Sequence, residues 1–496
     1  MTRSAGLSAA AFALLVGGAL AGGTPDVRFF FEAASPNEQQ ARDALQSIAA
    51  SWRDNYAALI VDLARLMPKP ASPGAAIGED QIEPYDDEGR TEASPFRGVG
   101  LPSAPAPSPV TPAARSRIRL VQFLEKMTGQ RFGQDLGRWR RWMWSLPYEP
   151  HPQYAVFKSA VYSRIDPRMA AFFPPGVRPL IRLDEVDWGG VKVNGIPPLD
   201  HPKTVTAAEA GYLQPGDLVF GVCLNGEARA YPKRILAWHE LARDTLGGRE
   251  VTVVYCTLCG SVVPYDSEVG GRRLTFGTSG LLYRSNKLMF DEETMSLWSA
   301  AQGRPVVGML AGSGLRLQAY PVVTTAWRDW VQAHPRTTVL SLDTGYRRDY
   351  SEGAAYRDYF ATDRLMFEVP KTDTRLKNKA EVLALLVPSE NGDQAVAISA
   401  DFLRRHRLHA FRAGGRSLAV VTTPDGANRV YDVEDVRLSR QRADGMLEDE
   451  RGGRWRIEED ALVEEDGAGR RLERVAAWRA FWFGWYAQFP ETDLIR

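Results

Sequence analysis

The chain has 496 residues, with 61 Lys and Arg against 61 Asp and Glu, so its formal net charge is zero and no overall field draws in nucleic acid or anionic lipid. Hydrophobic content of 44% and charged content of 25% are those of a globular protein with room for roughly two to four domains. Three cysteines, at 223, 256 and 259, exclude a disulfide scaffold.

The N-terminus reads MTRSAGLSAAAFALLVGGALAGG. Arg3 supplies a positive start, residues 5–18 an uncharged apolar run, and Ala19-Leu20-Ala21 a small-x-small cleavage site. The expectation is a signal peptide over 1–21, cleaved near Ala21, and an extracytoplasmic protein, periplasmic or secreted; the alternative is an N-terminal membrane anchor. No Cys follows the run, so a lipoprotein anchor is excluded, and no later apolar run is long enough for a stable span.

Residues 22–67 form an amphipathic helical region. Ser35 and Pro36 suit a cap and a first helical position, and Leu45, Ile48, Trp52, Tyr56, Leu59, Leu63 and Leu66 make one apolar stripe. Residues 68–115, rich in Pro, Ala and Ser, predict a disordered linker, because they bury too little apolar area to offset their ordering entropy. Residues 116–180 return to helix. One phrase there, LEKMTGQRFGQDLGRWRRWM, is weakly similar to the closing unit of HEAT-type helical repeats.

From residue 181 the pattern turns to short β-branched strands separated by glycine turns, interrupted by RILAWHEL and AAWRAFWFGWYAQF, which predict helices. Residues 251–267 align without a gap on 417–433, so that Val254 meets Val420, Gly260 meets Gly426 and Tyr265 meets Tyr431. His239 meets His406, and Trp330 through Thr337 meets Trp485 through Thr492. The expected fold class is α+β: two pseudo-symmetric strand-rich repeats with short helices, at 181–345 and 376–496, joined by a connector at 346–375 and preceded by the small helical region.

What the first copy alone carries is where chemistry is expected. Cys256 and Cys259 meet Thr422 and Asp425. From Asp266 to Trp298 is 32 residues and from Asp432 to Trp455 is 23, so the first copy also holds nine more residues beside its cysteines. A CxxCG turn between two strands has the form of a metal knuckle, and two thiols three apart also suit a nucleophile and its resolving partner, or a structural pair. As a metal site it needs more than two ligands: Cys256 and Cys259 with His239, with a carboxylate, or with a Met such as Met289 or Met295, would suit zinc or copper. As an enzyme, Cys256 or Cys259 would attack, His239 act as base, and Asp291 or Asp244 orient it. A capping or core role for His239 competes with both, because His406 stands at the matching place in the copy without cysteines. In the longer loop, Tyr283, Arg284, Ser285 and Asn286 are candidate ligand-binding residues, with Trp298 nearby. Cys223 sits in an apolar strand and reads as a buried, inert thiol. No phosphate loop or dinucleotide fingerprint is present, so no nucleotide is expected.

GEARAYPKRILAWHEL, GGREVTVVYCTLCGSVVPYD, LTFGTSGLLYRSNKLMFDEETMSLW, GRPVVG and AFWFGWYAQFPETDL, in this order, resemble the family called domain of unknown function 3179 over residues 180–496. The resemblance implies a bacterial, often exported protein and a fold, without fixing an activity. The matching residues are the Cys pair, His239, Tyr283, Ser285, Asn286, Asp291 and Trp298. This chain departs from the family's usual pattern at Thr257, where Pro is usual, at Glu292, where Arg is usual, and at Ala300-Ala301, where Gln is usual. Three readings follow for the function: an exported thiol centre that binds metal or works in redox chemistry, a cysteine-nucleophile enzyme, or a non-catalytic envelope scaffold whose helical N-terminal part binds an envelope protein.

Overall fold

In the computed structural model the described residues are 24–69, 111–442, 444–465 and 469–496. The signal-peptide segment and most of the linker, residues 70–110, lie outside them. The chain divides into two compact units, one of residues up to 185 and one of 186–496. The class is α+β: a helical first unit and a strand-rich second. Among the described residues no helix is long and apolar enough to cross a membrane.

In the first unit the single stripe expected over residues 45–66 is two helices, Glu38–Ala49 and Ala57–Arg65, preceded by Val27–Ala33. The cap is Asn37 rather than Ser35: its side chain accepts from the N–H groups of Gln39 and Gln40, which the Ser35 hydroxyl, two residues earlier, does not reach. Thr111 caps Pro112–Thr128, so this helix starts inside the stretch assigned to the linker. Asp135 caps Leu136–Ser145. Ala57–Arg65, buried from Ala57 to Ala64, packs between these two helices. Leu59, Ile60, Trp139 and Phe157 are fully buried in this unit, and Lys158 joins them because it pairs with Asp62 at 2.8 Å.

The second unit holds two sheets with the same strand order. The first runs Val323–Ala326, Leu218–Leu224, Glu227–Pro232, Thr338–Leu340, and then adds Thr204–Thr206. The second runs Trp478–Phe481, Glu381–Ser389, Gly392–Ser399, Asp493–Ile495. Through the first four strands the pairing senses agree: antiparallel, antiparallel, parallel. In each, a short helix follows the third strand, Lys233–His239 or Ala400–Arg405, and another follows the outer strand, Trp327–Ala333 or Trp482–Gln488. The sequence reading made the last of these a longer helix. Its first part, WRAF, is instead the outer strand, where the sheet's hydrogen bonds outweigh local helix propensity.

Two meanders follow the same rule. Leu241–Leu246 pairs with Arg249–Cys256 and then Ser261–Asp266, and Leu408–Ala413 pairs with Arg416–Thr422 and then Asn428–Asp432. Both first turns are Gly-Gly with positive φ at each residue, the requirement of a two-residue hairpin. A side chain on Gly247 would meet the Leu224 carbonyl, and one on Gly414 the Pro388 carbonyl, so only glycine fits at either position.

Beyond the meanders the halves differ. In the second, eight strands from Leu408 to Val475 form one sheet whose outer strands, Leu408–Ala413 and Leu438–Gln441, come side by side, nearly closing a barrel. In the first, a separate sheet carries Val186–Trp188, Phe276–Tyr283, Asn286–Asp291, Leu297–Ser299 and Arg304–Val307. Its hairpin has strands of 8 and 6 residues, against 4 and 3 in Leu438–Gln441 and Leu447–Asp449. The extra residues of the first half therefore lengthen this hairpin and carry its tip, Tyr283 to Asn286, away from its base.

Candidate functional site

Cys256 ends the strand Arg249–Cys256, and a tight turn returns the chain into Ser261–Asp266. The Cys259 N–H donates to the Cys256 carbonyl at 3.1 Å, and Gly260 takes a φ of 59°, the left-handed region that glycine enters freely. This turn places the two sulfurs 2.8 Å apart, both as free thiols. The Cys259 thiol also donates to the Ser285 carbonyl at 3.3 Å.

The second half closes over the turn. Phe481 donates its N–H to the Cys259 carbonyl at 2.7 Å, and a side chain on Gly484 would stand 3.1 Å from the Cys259 sulfur. The connector contributes Tyr359, whose hydroxyl donates to the Leu258 carbonyl at 2.8 Å. Cys256, Leu258 and Cys259 thus share an apolar cluster with Tyr359 and Phe367.

Burial opposes ionisation of both thiols. For Cys256, burial and the nearby Glu240 carboxylate raise the pKa, but the hydrogen bond shared with Cys259, helped by the backbone N–H groups of Lys287 and Cys259, outweighs them and lowers it below the ordinary thiol value. Cys259 is pushed well above that value, by burial and by its hydrogen bond and charge interaction with Cys256. Burial also raises Cys223, which is half-buried rather than fully buried, to about 11, so the thiolate it would need for reaction is scarce.

Cys256 faces a cavity of about 50 Å³, and Cys259 stands behind it. The apolar lining includes Ile196, Leu281, Leu288 and Phe367; the polar lining is Glu240, Thr257, Thr278 and Lys287. Lys287 and Glu240 form a buried ion pair, and the Tyr356 hydroxyl donates to the other Glu240 oxygen at 3.2 Å. The hydroxyls of Thr257 and Ser285 are buried, with no hydrogen-bond partner among the described residues.

The hairpin tip does not line this cavity; it ties the halves together. Arg284 and Ser285 both have positive φ, as a two-residue hairpin turn demands. Arg284 donates to the Ala487 carbonyl at 2.9 Å, Asn286 donates to the Gly484 carbonyl at 3.0 Å, and Gln488 donates to the Tyr283 carbonyl at 3.0 Å. Trp298 is fully buried and donates to Asp291 at 2.8 Å, while Asp291 also accepts from the Thr294 N–H and hydroxyl. Trp455 makes the matching bond to Asp449 at 2.9 Å in the half without cysteines. Asp244 accepts from Arg229 and Tyr231, each at 2.7 Å.

His239 shares Nδ1 with the Pro197 carbonyl at 2.8 Å and Nε2 with the Tyr350 hydroxyl at 2.6 Å. With both nitrogens engaged, and burial holding its pKa down to about 4, it is a neutral core histidine that lines no wall of the Cys256 cavity. Among the described residues no group of three or more His, Cys, Asp or Glu side chains is placed to hold a metal. Two thiolates alone fall short of the three or four ligands zinc takes, so the donor set present does not fit a zinc centre.

A family model described as a protein of unknown function, DUF3179, matches residues 193–492. The chain belongs to this family. The match spans both halves of the second unit, so the cysteine turn, the long hairpin and the closing helix Trp482–Gln488 all fall inside the DUF3179 region. No curated protein and no solved structure matches the chain.

Two site residues escaped the sequence reading, Glu240 and Lys287. Both satisfy the criterion that singled out the cysteines: Glu240 meets Arg407 in the alignment, and Lys287 lies in the longer hairpin. The connector walls, Tyr356, Met366 and Phe367, carry no such signal.

Proposed function

We propose that the chain works as a dithiol centre, with Cys256 as the attacking thiolate and Cys259 as the resolving thiol. The observation that carries this reading is geometric: two free thiols in contact, of which Cys256 lines the cavity and Cys259 does not. Attack by Cys256 on an electrophilic partner would give a covalent adduct, and Cys259 is within reach to displace it and form a disulfide. The metal reading is the weaker one, because His239 is committed elsewhere. A nucleophilic enzyme with His239 as base loses support for the same reason.

The test is alkylation of the reduced full chain under native conditions, read by peptide mass. Cys256 is expected to take iodoacetamide first, with an onset below the ordinary thiol pKa, while Cys259 and Cys223 stay unlabelled. In Cys259→Ser, the Cys256 onset should move up in pH, because the serine hydroxyl supports the thiolate less well. Equal labelling of both thiols at every pH would sink the assignment of roles, and complete protection of both would favour the scaffold.

Export from the cytoplasm belongs to the same proposal, supported by Arg3, the apolar run at 5–18 and the small residues at 19–21. An oxidising compartment would then hold the pair as a disulfide unless a reductant is supplied. We also infer that the two halves descend from one duplicated unit. Supporting this are the shared strand order and pairing senses, and the paired indole bonds Trp330 to Thr337 and Trp485 to Thr492, both 2.9 Å.

A further inference from the structure

The cavity at Cys256 limits what the thiolate can meet. One water needs roughly 10–15 Å³ measured in this way, so about 50 Å³ admits a molecule of only a few heavy atoms. A peptide disulfide does not fit, and neither does a bulky organic electrophile. One lining residue, Met366, is 46% exposed, so the cavity lies beneath the surface on that side. Inside, the side chains are apolar except for a few groups, and one of these is unsatisfied. Thr257 is 1% exposed and lines the cavity, and its hydroxyl has no hydrogen-bond partner among the described residues. A buried hydroxyl without a partner is destabilising unless something small and polar completes it. The Lys287 ammonium, held by Glu240, lines the same space.

We propose that the substrate of the Cys256–Cys259 dithiol is a small hydroperoxide, hydrogen peroxide being the simplest, seated between Cys256, Thr257 and Lys287. This rests on the dithiol reading. The Cys256 thiolate attacks one peroxide oxygen; an S–O bond forms and the O–O bond breaks. The departing hydroxide takes a proton from Lys287, which regains it from solvent, and leaves as water. The Cys259 thiol then attacks the sulfenic sulfur; the S–S bond forms, and the sulfenic hydroxyl leaves as a second water with the Cys259 proton. One peroxide is reduced by two electrons and the two thiols are oxidised by two. Thr257 is a positioning residue, donating to the departing oxygen.

The experiment follows disulfide formation in the reduced full chain by quenching, alkylation and intact mass. Hydrogen peroxide is compared with cumene hydroperoxide, and wild type with Thr257→Val and Thr257→Ser. Hydrogen peroxide should be faster than the bulky reagent by about tenfold or more, since an aromatic ring cannot enter the cavity. Thr257→Val should slow the peroxide reaction about tenfold, the worth of one hydrogen bond to the departing oxygen, and Thr257→Ser should restore it. In Cys259→Ser, dimedone added together with the denaturing quench should trap Cys256 as sulfenic acid. If the disulfide forms but the two peroxides react equally, or Thr257→Val reacts as wild type, the substrate assignment falls and the dithiol stands. If no oxidant joins Cys256 to Cys259, both fall.

Discussion

Lys287→Ala is expected to destabilise the second unit by about 3–5 kcal/mol, because it leaves the Glu240 carboxylate buried without its cation. The side chains of Lys287 and Glu240 are 6% and 11% exposed, so the carboxylate left behind is largely shielded from bulk water. The Tyr356 hydroxyl would remain as one hydrogen-bond donor, too little to satisfy a buried charge. Removing both charges, as Lys287→Met with Glu240→Leu, should cost far less, since paired buried ions are often replaceable by apolar side chains of similar volume. Chemical denaturation of the two variants checks this. A loss below about 1 kcal/mol for Lys287→Ala would mean that the pair behaves as a solvated surface bridge.

Acid should also destabilise the fold through His239. Its folded pKa is held down at about 4 by burial, with the charge of Arg348 acting in the same direction and the hydrogen bond to Pro197 opposing it. An unfolded histidine titrates near 6.5, so between these values the unfolded chain binds the extra proton. Stability from this group is complete above about pH 6.5 and is lost as the pH falls towards 4, by about 3 kcal/mol in all. His239→Gln should be less stable at neutral pH but lack this part of the slope. The comparison is the denaturation midpoint of wild type against His239→Gln at pH 7, 5.5 and 4. Parallel loss in the two proteins would place the acid sensitivity elsewhere.

The sequence carried some levels of this structure and not others. Strands such as VTVVY and SLAVV were legible because alternation and β-branching are local, and the Gly-Gly turns marked their hairpins. The helix expected across residues 45–66 broke at 50–56 because a stripe at helical spacing does not show where the chain turns. WRAF was misassigned because its pairing with Glu381–Ser389 is nearly a hundred residues away in sequence. At the site, comparing the two halves isolated Cys256 and Cys259, since the shared scaffold could be set aside. The same comparison could not give Lys287 its partner: Glu240 is 47 residues earlier, and only the fold brings them together. His239 and Asp291 carried chemically apt side chains. Each is instead saturated by hydrogen bonds, His239 to residues distant in sequence and Asp291 to near ones, and the Asp449–Trp455 pair shows that the second half uses a carboxylate in the same structural way.

On this reading Cys256 and Cys259 form one reversible dithiol couple. The direct measurement equilibrates the full chain in graded ratios of reduced to oxidised dithiothreitol, long enough for transient opening to expose the pair, then quenches with acid, alkylates under denaturing conditions and reads intact mass. A single two-electron transition is expected, in which the labels at Cys256 and Cys259 disappear together while the label at Cys223 stays constant. Persistence of both labels at every ratio, or independent loss at the two cysteines, would contradict it.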